Sequence, residues 1–148
     1  MSTRRFAFIL GLLFVLAGIA GFLPFLAHPE AGATLPDNMI AMPGHGGAIL
    51  GTGDAMLLWL FPVNAVHNAV HLLFGLWGIA GSRSRRGALV YARSIAIIYF
   101  LLAVAGLLPG IQTGFGLIPL YAKDVWLHGL VAVGGLYFGW ASREGSRL

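Results

Sequence analysis

From Phe6 to Ala27 the chain carries no charged side chain at all. As an α-helix that run is about 33 Å long, enough to cross the hydrocarbon core of a bilayer. A secretory signal peptide is the competing reading, because Ala31-Gly32-Ala33 resembles a small-residue cleavage site. The apolar region of such a peptide is usually about 7–15 residues, and this run exceeds it. The first transmembrane helix is therefore placed at 6–27, with further apolar spans at 60–81, 88–108 and 124–141 and an outer loop at 28–59. The expected fold class is all-α: an integral membrane four-helix bundle, with residues 1–148 forming a single transmembrane domain.

Composition agrees. Hydrophobic residues make up 58% of the chain, charged residues 9%, and mean hydropathy is +0.85; a soluble domain carries about 25% charged residues. A sequence pI near 10.1 invites a nucleic-acid reading. However, the nine Lys and Arg form no basic face interleaved with aromatics, so no nucleic-acid partner is expected. They sit at the ends of the apolar runs. With four spans, Arg4, Arg5, Arg83, Arg85, Arg86, Arg93, Arg143 and Arg147 share one side and Lys123 stands alone on the other. By the positive-inside rule both termini are cytoplasmic and the long loop is outside. Trp59, Tyr121 and Trp126 would mark one interface and Trp77, Tyr91 and Trp140 the other. Arg93, close to the basic end of its helix, is expected to snorkel to the headgroups. There is no cysteine, which excludes disulfides, thiolate metal sites and thiol nucleophiles.

The second span departs from an ordinary membrane helix. In FPVNAVHNAVHLLFGLWG, Asn64, His67, Asn68 and His71 fall at i, i+3, i+4 and i+7, so they line one helical face that Gly75 and Gly78 continue. Polar side chains inside a span are costly, so the stripe should face protein. Pro62 suits the first turn of this helix.

A weak internal repeat bears on the same stripe. Ile19-Ala-Gly-Phe-Leu-Pro24 matches Val104-Ala-Gly-Leu-Leu-Pro109 at an offset of 85, and Phe61-Pro62 matches Ile118-Pro119 at an offset of 57. The second offset sets Asp124 opposite His67 and His128 opposite His71, so the chain reads as two helical hairpins repeated in parallel. Compositional likeness between apolar helices is the plainer explanation.

If the second and fourth helices are neighbours, His67, His71, His128 and Asp124 converge, with Asn64 and Asn68 as supporting hydrogen-bond partners. Four readings compete. The cluster binds a transition metal, zinc or copper, because imidazole and carboxylate suit such ions. A histidine serves as axial ligand to haem or another tetrapyrrole. Asp124 and the histidines relay protons. Or the polar groups simply hydrogen-bond across helices and fix packing, with Asp124 as a helix N-cap. In the outer loop, Met39, Met42 and His45 form a weak soft-metal pattern, against the plainer reading of an ordinary surface loop. Enzyme chemistry is not expected. The glycines of Gly44-His-Gly-Gly and Gly51-Thr-Gly join no strand to a helix, as a phosphate loop requires.

The run Phe61-Pro-Val-Asn-Ala-Val-His-Asn-Ala-Val-His-Leu-Leu-Phe-Gly, followed by Asp124-Val-Trp-Leu-His128, resembles a bacterial four-helix membrane family known as domain of unknown function 4383. The likeness extends from the first helix to the fourth. It implies the four-span architecture and focuses attention on Asn64, His67, Asn68, His71, Asp124 and His128, without supplying an activity.

The functional expectation is a non-enzymatic accessory subunit that packs in a larger respiratory or photosynthetic membrane complex, with membrane lipid and other subunits as partners. Lipid-facing glycines and aromatics would serve that role. The alternative is a stand-alone membrane protein that binds a transition metal or tetrapyrrole through the histidines.

Overall fold

The computed structural model describes residues 1–23, 25–29, 55–108 and 123–142. Four α-helices dominate: α1 Thr3–Ala20, α2 Ala65–Gly81, α3 Arg85–Leu107 and α4 Lys123–Leu136. A π turn, Tyr137–Ala141, continues α4 and closes with the Ser142 N–H donating to the Tyr137 carbonyl at 2.7 Å. Two helices, α1 and α3, are long and apolar enough to cross a membrane; α2, with 17 residues, is shorter.

Side-chain caps set the helix starts. Ser2 accepts from the Arg5 N–H, Asn64 from the His67 N–H at 2.9 Å, and Ser84 from the Gly87 N–H at 2.9 Å. Each satisfies an amide that the first turn leaves without a partner. These caps correct several expected boundaries. The second helix does not begin at 60 with Pro62 in its first turn: Phe61–Val63 is a strand, and Asn64 caps the helix. The first helix ends by Ala20 rather than 27, because the chain turns there and Ala27 enters a strand. α4 already includes Lys123, so Asp124 sits in its first turn and is not its cap.

A small antiparallel sheet adds to the all-helical plan. β1 (Ala27–Pro29), β2 (Ala55–Leu57) and β3 (Phe61–Val63) lie in that order, with Ala27 opposite Leu57 and Leu57 opposite Phe61. Ala27, Ala55, Leu57 and Val63 form its buried side, against Ala20, Leu26 and Phe61. The β2–β3 connection turns through Leu58 (φ 52°) and Trp59 (φ 60°), and the Leu60 N–H donates to the Leu57 carbonyl at 3.0 Å. Both residues take the left-handed conformation that a tight hairpin turn demands.

α1 packs chiefly on α2, and α3 on α4. The contact inside each hairpin is equivalent under the sequence offsets. A Cβ on Gly78 would lie 2.9 Å from the Ala7 carbonyl oxygen; one on Gly135 would lie 2.8 Å from that of Ala92. Ala7 and Ala92 are 85 residues apart, Gly78 and Gly135 57 apart. Gly11, Gly18, Gly21, Gly75 and Gly78 are all buried within the bundle, so the expectation of lipid-facing glycines is corrected: these residues bring backbones together inside it. Ala7, Phe14, Ala88, Tyr91, Ile95, Tyr99 and Ala132 build the central core where the hairpins meet. Tyr91 is fully buried against Gly78 and Trp77, so its ring packs on protein. Arg93 makes contacts that the sequence did not foretell. Its Nε donates to the Gly139 carbonyl at 2.9 Å and its guanidinium lies over Trp140, so it clamps α3 to the π turn.

Candidate functional site

The residues singled out from sequence gather at the end of the bundle that carries the sheet. α2 and α4 begin there, so Asn68, His67 and His71 enter from one hairpin and Asp124 and His128 from the other. Asn68 is 1% exposed, Asp124 2%, His128 4% and His67 5%. The Asn68 amide occupies the space that a Cβ on Gly21 would fill, so the last turn of α1 fixes its position.

The convergence differs from the one the spacing predicts. α2 and α4 are not packed face to face. Instead, a stack of rings runs between them through α1 and α3. His67 meets His71 edge-on at 4.5 Å between centroids, and His71 stacks on Phe14 at 5.3 Å. Phe14 stacks on Tyr99 at 5.4 Å, and Tyr99 meets His128 edge-on at 5.2 Å. The stack repeats across its middle: Phe14 and Tyr99 are 85 residues apart, His71 and His128 57 apart. Among the described residues no three His, Cys, Asp or Glu side chains are placed to share one ion. Phe14 and Tyr99 occupy the centre that a three-histidine site would need. Met39, Met42 and His45 lie outside the described residues.

What the stack leaves open is hydrogen bonding. Among the described residues, His67 Nδ1, His71 Nδ1, His128 Nδ1, Asp124 Oδ2 and both polar atoms of the Asn68 amide are buried without a partner. The Tyr91 hydroxyl, nearer the other end, is a further case. A buried polar group without a partner costs about 1–3 kcal/mol, so several at one level are hard to reconcile with packing alone. Chemically the set offers imidazole nitrogens that donate or accept, a carboxyl oxygen and an amide, all suited to a small hydrogen-bonding molecule. Phe14 and Tyr99 did not figure among the expected site residues. The offset of 85 pairs them, but a single aromatic in an apolar helix gives no further signal.

The family model for "Domain of unknown function (DUF4383)" matches residues 4–141, from the first turn of α1 to the end of the π turn. The chain belongs to this family. No curated protein and no solved structure matches it. Membership in this DUF4383 family thus spans both hairpins and all the site residues described above, and it assigns no chemistry to them.

Proposed function

We propose that this chain is a non-enzymatic, four-span inner-membrane protein, both termini cytoplasmic, that holds a small hydrogen-bonding ligand between its two hairpins. The observation that carries this reading is the set of unpartnered polar atoms on His67, His71, His128, Asp124 and Asn68, at one level of the bundle and sealed from solvent. Its membrane setting draws support from an exterior that is apolar on every helix. Leu12, Leu13 and Leu16 of α1, Leu73 and Leu76 of α2, Ile97, Phe100 and Leu101 of α3, and Leu130 and Val133 of α4 are all exposed. Large apolar side chains exposed on all four helices, with His67, Asn68, Asp124 and His128 buried, suit a lipid surrounding. α2 sits at the lower limit of about 17 residues for a span, and the π turn lengthens α4.

The test is on gently solubilised full-length protein, by native mass spectrometry, absorption spectroscopy and elemental analysis, beside Asn68→Leu and His71→Leu variants. A bound species retained by the wild type and lost from both variants is the expected result. A Soret band or stoichiometric metal would identify that species as a tetrapyrrole or an ion. No bound species, with variants more stable than wild type, would reduce the polar set to packing.

A second reading, an accessory subunit of a larger membrane complex, is favoured by the exposed face of α4 and its π turn. Trp126, Tyr137 and Trp140 stand there beside the aliphatics, and aromatics of this kind are enriched where proteins meet. Native sizing separates the two: co-migration with a larger assembly, lost on Trp126→Ser, supports the subunit.

A further inference from the structure

At the opposite, basic end the two hairpins diverge, and the divergence leaves a cavity. Ser82 and Gly139 are equivalent positions, 57 residues apart, and the carbonyl of each accepts from an arginine. In the second hairpin that arginine is Arg93, whose guanidinium is covered by Trp140. In the first it is Arg4, whose Nε donates to the Ser82 carbonyl at 2.8 Å. The positions matching Arg93 and Trp140 hold Phe8 and Arg83 there, and among the described residues no ring lies over the Arg4 guanidinium. What remains is a cavity of about 460 Å³ lined by Ser2, Arg4, Arg5, Phe8, Ile9 and Ser82.

We propose that this cavity binds the phosphate headgroup of an anionic phospholipid. Arg4 uses only its Nε on the protein, and among the described residues the Arg5 guanidinium meets no acceptor. Arg83, Arg85 and Arg86 add positive charge at the same end, while the one described carboxylate, Asp124, is at the other. Two arginines lining one cavity offer a phosphate's oxygens charged, fork-shaped donors. The other wall selects the lipid over a free anion. Phe8 and Ile9 are exposed and apolar, and they continue into Leu12, Leu13 and Leu16 along α1, where an acyl chain can lie. A site for inorganic phosphate would have no use for that wall. The inference rests on the membrane reading but not on the ligand at the sheet end.

The experiment uses full-length protein in nanodiscs of zwitterionic lipid doped with phosphatidylglycerol, with retained lipid counted by native mass spectrometry. Incorporation into the discs reports on the membrane reading separately. Wild type should retain phosphatidylglycerol over phosphatidylcholine, and Arg4→Gln/Arg5→Gln should weaken that preference about thirtyfold. Ile9→Trp, which fills the cavity while keeping both charges, should weaken it as well. Arg83→Gln/Arg86→Gln, equal in charge removed but outside the cavity, should weaken it much less. Equal retention of both lipids, equal loss in the Arg83/Arg86 variant, retention undiminished in Ile9→Trp, or displacement by millimolar inorganic phosphate would each overturn the proposal.

Discussion

Gly78 rests on the Ala7 carbonyl and Gly135 on the Ala92 carbonyl, yet the hairpins sharing this contact finish differently. In the α1–α2 hairpin the crossing is glycine on glycine, where a Cβ on Gly75 would lie 2.7 Å from the Gly11 carbonyl. The α3–α4 hairpin has Ala96 and Ala132 at the matching positions. Polar groups divide the same way. His67 and Asn68 on α2 correspond, at the offset of 57, to Asp124 and Val125 on α4, so one hairpin brings an imidazole and an amide where the other brings a carboxyl and a methyl-bearing chain. The π turn, with its Arg93 clamp, belongs to the second hairpin. Two frames with a common crossing thus carry different chemistry at each end. The shared part is what holds the fold, and the unshared part is where function is to be sought.

The strongest test of the shared part is the pair of rings at the centre. Phe14→Ala and Tyr99→Ala each remove a buried ring from the same stack and should each lower stability by about 3–5 kcal/mol. Unfolding in detergent monitored by circular dichroism would measure both. Nearly equal losses support equivalence; a large loss in one variant alone would break it. Next in size are Gly78→Val and Gly135→Val. Gly78→Val drives a side chain against Tyr91 and the Ala7 carbonyl, Gly135→Val against the backbone of Ala92 and Ala96, and each should cost about 1–3 kcal/mol. Here too equality is the prediction.

A smaller effect sharpens the difference between the hairpins. Arg93→Met keeps the apolar stem but removes the hydrogen bond to the Gly139 carbonyl and the cation over Trp140. The expected loss is about 1–2 kcal/mol. Arg4→Met removes only a hydrogen bond at an exposed site and should cost less. The same measurement ranks the two, and the reverse order would place the firmer clamp in the first hairpin.

Much of this was legible in the sequence, for identifiable reasons. An uncharged run such as 6–27 and the i, i+3, i+4, i+7 stripe are local signals, and local signals decide that a helix forms and which face is polar. Under the offsets of 85 and 57, Gly78 and Gly135 make the same close approach, to Ala7 and to Ala92. Boundaries were less legible. Phe61–Val63 reads as helix by hydropathy but pairs with Ala55–Leu57, and only the tertiary partner decides between the two. The spacing of Asn64 fits the polar stripe, and the same position also caps the helix, so spacing alone does not reveal the cap. The convergence of histidines required knowing which helices touch. That depends on how Phe14 and Tyr99 fill the centre, and no spacing within one helix encodes it.

Gly129 gives the smallest effect and the cleanest control on the comparison. It lies in α4 one turn beyond Asp124, and a Cβ built there meets nothing within 4 Å. Its φ is not in the left-handed range, so alanine fits the backbone. Gly129→Ala removes backbone freedom from the unfolded chain without a new clash, and should raise stability by about 0.4–1 kcal/mol. Gly135, six residues further along the same helix, meets backbone in every direction that matters, and alanine there should lower it. Opposite signs from two glycines in one helix would show that the Gly78 and Gly135 effects come from the crossing itself rather than from helix propensity. A stabilising Gly135→Ala would instead mean that the second hairpin does not share the close approach of the first.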